Sequence, residues 1–168
     1  KAEEYLDIGL EKAIAKNDNA AIPLIMNKVG VLFPKKDFSG LLELCDIYFN
    51  KVRNSANHYT ADAEMYAAKA LSLANLGHSE EAFPAFNTFF SSFELMKQDR
   101  DNDEDIYITS AVLASDANYL NIVMKYIYCC VETKRFGELS EFLKNTDIAA
   151  YSFNDETVAN IVENEMAL

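Results

Sequence analysis

Apolar residues recur at intervals of three and four almost from end to end of this 168-residue chain, and that spacing is the helical one. Tyr5, Leu6, Ile8, Leu10 and Ile14 predict a first helix from about Ala2 to Lys16. Ile22, Ile25, Met26, Val29, Leu32 and Phe33 predict a second, capped by Asn19. Pro34 should stop it, because the residue before a proline avoids the helical conformation. Asp37 is placed to cap a third helix that runs through Leu41, Leu44, Cys45 and Tyr48 to Val52. A polar break at residues 54–57 precedes a fourth. Thr60 should cap it, and it continues through Met65, Tyr66, Ala70, Leu71 and Leu73 to Leu76. Gly77 then supplies the backbone freedom to end it.

Ser79 is the expected cap of a fifth helix carrying Ala82, Phe83, Phe86, Phe89, Phe90, Phe93 and Met96. Pro84 lies about one turn inside, where it removes a backbone hydrogen bond and should bend or delay the start. Residues 97–105 read as a long charged loop, followed by a short helix over 106–114. Asp116 should cap a further helix over 117–133. Lys134 and Arg135 form a tight turn, and a short helix covers 136–144. Ser152 and Asp155 resemble a capping box before a last helix through Val158, Ile161 and Val162. Turns this short make successive helices antiparallel. Five Gly and three Pro are too few for an all-β domain of this length. The expectation is one all-α domain over residues 1–168.

Internal repetition sharpens that expectation. Tyr66, Ala70 and Leu73 form a large–small–large set on the fourth helix, Gly77 sits at the turn, and Ala82, Phe86 and Phe89 follow on the fifth. Small residues at Ala70 and Ala82 let two helix backbones approach closely while aromatics fill the space beside them. This hairpin, with its turn Asn75-Leu76-Gly77-His78-Ser79-Glu80-Glu81-Ala82, resembles a tetratricopeptide repeat. Phe89 departs from the pattern, which prefers a small residue there, and should push the next helix away or rotate it. Two weaker copies fit the same frame. One runs from Ile25, Val29 and Leu32 through Lys36-Asp37-Phe38 to Leu41 and Cys45. The other runs from Val123, Ile127 and Cys130 through Lys134-Arg135-Phe136 to Leu139 and Leu143. Their turns lie about 41 and 57 residues from the middle one, against the regular ~34 of the family. The resemblance implies antiparallel hairpins stacked as a short, degenerate, right-handed superhelix.

Chemistry-bearing motifs are scarce. There is no Gly-rich phosphate loop and no nucleophile elbow, and His58 and His78 have no companion at metal-ligand spacing. Asp99, Asp101 and Asp103 alternate as in a calcium loop, but Glu104 occupies the place of the obligatory Gly and Ser110 that of the closing Glu. Glu80 and Glu81 suit a helix start through the helix dipole. Cys129 and Cys130 lie near a helix C-terminus, without the basic neighbour that activates a thiol. With Cys45 they form an odd set of buried-looking thiols, as expected in a reducing compartment such as the cytoplasm. No catalytic residue, metal or cofactor is therefore expected. A net charge of −12 disfavours nucleic acid and anionic membranes as partners. The start at Lys1, with a charged helix already under way, reads as a fragment of a longer protein.

In tetratricopeptide proteins the first helix of each hairpin lines a concave groove. By that resemblance the groove here would comprise Met26, Asn27 and Gly30; Ala67, Leu71, Ala74 and Asn75; and Asn121, Met124, Lys125 and Tyr128. Such a lining suits an apolar helix or an extended peptide, and it lacks the cluster of cations that grips a terminal carboxylate. The expected function is thus a non-catalytic interaction or scaffold module, binding a protein segment or another domain of its parent chain. The texture of the sequence is also similar to the helical tails that follow the catalytic domain of some bacterial family-2 glycosyltransferases. A peptide-sensing receptor domain is a further alternative. The phenylalanines of the fifth helix should be mostly core, with some left as a contact surface. Uncapped end faces would favour a homodimer.

Overall fold

The computed structural model describes residues 2–16, 18, 20–53, 59–101 and 116–146. Among them there are seven α-helices and no strands: α1 (Ala2–Ala15), α2 (Ala21–Leu32), α3 (Phe38–Ile47), α4 (Tyr59–Asn75), α5 (Ser79–Asp101), α6 (Asp116–Glu132) and α7 (Phe136–Asn145). The fold class is all-α, as the periodicity implies. The helices expected over 106–114 and around Val158, the caps Asn19 and Asp116, the polar break at 54–57 and the Ser152 capping box all fall outside the described residues or their described side chains.

Each helix packs on the next in sequence, and α2, α4 and α6 also touch in series. The most extensive contact is between α4 and α5. The sequence explains why: Ala67, Ala70 and Ala74 on α4 and Ala82 and Ala85 on α5 are all buried, and side chains this short let the two backbones close up. Ala70 and Ala82, the two small residues of the repeat pattern, are wholly inaccessible to solvent.

Three helix ends share one turn. The N–H of Asp37 donates to Leu32 O and that of Lys36 to Phe33 O; His78 donates to Leu73 O and Gly77 to Ala74 O; Arg135 donates to Cys130 O and Lys134 to Val131 O. This is the Schellman arrangement, whose pivot residue must adopt a left-handed backbone. The pivots are Lys36 (φ 56°), Gly77 (φ 83°) and Lys134 (φ 58°). The three turns aligned in the sequence are therefore one conformation, although only the middle one carries the glycine that signals it.

Caps follow the sequence less closely. Asp37 accepts the Gly40 amide at 3.0 Å, as expected of a cap. A Cβ at Gly40 would stand 2.7 Å from Asp37 Oδ2, so a larger residue there would make the Asp37 carboxylate shift. Thr60 is not a cap: α4 begins at Tyr59, and the buried Thr60 hydroxyl has no hydrogen-bond partner among the described residues. Ser79 is not one either. The His78 carbonyl opens α5 by accepting from Glu81 and Ala82, and the Ser79 hydroxyl donates to Glu132 instead. Pro84 neither delays nor ends α5, which continues through Met96 to Asp101 and takes in part of the expected 97–105 loop. Beyond α3 the chain widens into a π turn at Tyr48–Val52, which the periodicity of the sequence gave no reason to expect.

Phe89, the departure from the repeat pattern, is buried against α6, 6.2 Å from Tyr119 between ring centroids. All five phenylalanines of α5 join such contacts. Phe83 stacks on Tyr126 at 5.6 Å, Phe86 meets the same ring edge-on, Phe93 stacks on Tyr119 at 4.7 Å, and Phe90 bridges Tyr126 and Phe142 at 5.2 and 4.8 Å. The cluster joins α5, α6 and α7.

Candidate functional site

The expected groove lies on α2, α4 and α6, the helices that precede the three shared turns. Of the residues expected to line it, some are exposed and the rest are buried. Met26 on α2 and Ala67, Leu71 and Ala74 on α4 are core residues, so they offer no surface to a partner. The reason lies in the place of α4 in the chain order: it is packed by α2, α3, α5 and α6 together. From Thr60 to Ala74 only Tyr66 and Lys69 are even partly exposed. The groove is therefore not continuous, and what stays open is a strip on each flanking helix.

On α2 the open strip comprises Asn27 and Gly30. On α6 it comprises Asn121 and Tyr128, which are exposed, and Met124 and Lys125, which are half-buried. These four follow one helix face at intervals of three and four. The Lys125 ammonium lies 5.8 Å from the centre of the Tyr128 ring, a cation–π distance, so the pair presents a flat aromatic with an adjacent charge. Asn75, the last α4 member of the expected groove, is exposed, but its amide donates to Leu71 O at 2.7 Å.

Near the foot of the α6 strip a shallow cleft separates the α4–α5 turn from the end of α6, lined by Gly77, His78, Ser79, Glu80, Glu81, Glu132 and Thr133. Its carboxylates already have partners. Glu80 accepts from Arg135 at 2.8 Å, Glu81 stands 3.3 Å from His78 Nδ1, and Glu132 accepts from Ser79. The Arg135 guanidinium also lies 4.3 Å over the Phe83 ring and reaches Glu138 at 3.4 Å. Arg135 thus ties the third turn to the second hairpin. The repeat pattern of the sequence marks Arg135 only as a turn residue, because Glu80 and Phe83 lie more than fifty positions away on another hairpin.

A second polar cluster lies where the π turn meets α4. The buried Tyr48 hydroxyl donates to Asp62 Oδ1 at 2.7 Å, and Arg53 grips the same carboxylate with Nε at 3.0 and 3.1 Å and a terminal nitrogen at 2.9 Å. Burial first, and then the bond to Asp62, pushes the Tyr48 hydroxyl upward, so it stays protonated as a donor. Both oxygens of the carboxylate are satisfied, which makes the cluster a clamp between the π turn and α4. No sequence motif marks the clamp, because Tyr48, Arg53 and Asp62 form no spaced pattern.

Burial pushes the Cys45 thiol up to about 12 and the Cys130 thiol to about 11, and it also raises Cys129. Such thiols are poor nucleophiles near neutrality. Among the described residues no group of three or more His, Cys, Asp or Glu could hold a metal ion. No described helix is long and apolar enough to cross a membrane. The first and last described helices carry exposed apolar side chains, with Tyr5 73% and Ile8 44% exposed on α1 and Phe136 54% exposed on α7. No protein-family model, curated protein or solved structure matches the chain.

Proposed function

We propose that this chain is a non-catalytic interaction or scaffold module of tetratricopeptide-like hairpins. It would bind a protein segment, or pack on another domain of its parent chain. The observation that supports the reading is the triple use of one Schellman turn, at Lys36, Gly77 and Lys134, between helices of which α2, α4 and α6 touch in series. An array of like hairpins presents an extended face rather than a single deep pocket. The binding surface would be the open strip of α6, with Tyr128 as an aromatic anchor and Lys125, Asn121 and Met124 around it. Tyrosine suits this role because it offers a large rigid contact area and a polar tip.

The test is affinity capture from lysate of the source organism, with the wild-type chain and with Tyr128→Glu. Tyr128 is 43% exposed, so the variant should keep its melting temperature. A protein recovered by the wild type and lost with the folded variant would support the module and its surface. Equal recovery by both would move the contact off α6. Recovery of nothing by either would favour docking onto a neighbouring domain of the parent chain.

A further inference from the structure

We draw no further inference here: the strongest candidate, the shallow cleft between the α4–α5 turn and the end of α6, gathers Glu80, Glu81 and Glu132, but Arg135, His78 and Ser79 already hold these carboxylates and no other feature of the cleft points to a ligand.

Discussion

Helices α4 and α7 flank the same kind of turn and differ in almost everything else. α4 leads into the Gly77 turn, and from Thr60 to Ala74 nearly every residue is buried, including the polar Asp62, Glu64 and Ser72. α7 leads out of the Lys134 turn and has no buried residue at all. Its Leu139, Phe142 and Leu143 only lean on the core from one side. The shared turn fixes how two helices are joined. Burial is fixed by the neighbours the chain order supplies: among the described residues α4 packs against α2, α3, α5 and α6, while α7 packs chiefly on α6. Stability should therefore concentrate in the hairpin of α4 and α5, and the hairpin of α6 and α7 should yield before it.

A pair of equal truncations tests this most directly. Leu71→Ala on α4 empties a site that is 1% exposed and should cost about 2–5 kcal/mol. Leu143→Ala on the half-buried face of α7 should cost about 1 kcal/mol, since less apolar area leaves the protein interior. Urea denaturation of both variants measures the difference. Equal losses would mean that α7 is as integral to the core as α4, and the contrast would fail.

The Asp62 clamp should come next in size. Asp62→Ala strands the Tyr48 hydroxyl and frees Arg53, and it should cost about 2–3 kcal/mol. Arg53→Gln should cost less, about 1 kcal/mol, because the arginine side chain is 45% exposed and water can replace it. Tm shifts in that order would place the clamp within the stable half of the molecule. A larger loss for Arg53→Gln would show that the ion pair, rather than the buried hydroxyl bond, holds the π turn to α4.

Alkaline pH probes the same contrast through the thiols. Cys45 lies between α3 and α4 and donates weakly to the Met65 carbonyl at 3.5 Å. An unfolded chain ionises its thiols from the ordinary value of 9.0, while folded Cys45 holds its proton to about 12. The native state then binds more protons than the unfolded one between those values, so stability should fall as pH rises from 9 toward 12. The fall should be shallower in Cys45→Ala, measured as urea midpoints at several pH values. Identical slopes would show that Cys45 is not the group being protected.

The fold class was legible because helical periodicity spans every described element. The close approach of α4 and α5 was legible in Ala70 and Ala82, since small residues at a helix crossing have few other uses. Burial of the groove was not. The repeat pattern gives the face on which Ala67 and Leu71 lie, but not how many helices converge on that face. Ser79 misled for a related reason: a hydroxyl at a helix start signals a cap only when no better partner exists, and Ser79 finds Glu132 from another hairpin. Thr60 misled because it lies inside α4, which already includes Tyr59. The clamp was hidden because Tyr48, Arg53 and Asp62 form no spaced pattern, and the link from Arg135 to Glu80 because the two lie far apart in sequence.

The three turns offer the smallest effect and the cleanest sign. Gly77 and Lys36 hold the same left-handed backbone, which is easy for glycine and strained for any residue with a Cβ. Gly77→Ala should lose about 1 kcal/mol, even though a Cβ there meets no atom within 4 Å, because the cost lies in φ and not in a clash. Lys36→Gly and Lys134→Gly relieve that strain, and each should gain up to about 0.5 kcal/mol, the greater flexibility of glycine in the unfolded chain offsetting part of the benefit. Thermal melts of the three variants would read the signs. Opposite signs at Gly77 and at both lysines would establish the turns as one energetic device used three times. A loss at either lysine would mean that its side chain contributes something there, most simply its charge beside the carbonyl end of the preceding helix, and that the three turns are alike in shape but not in what stabilises them.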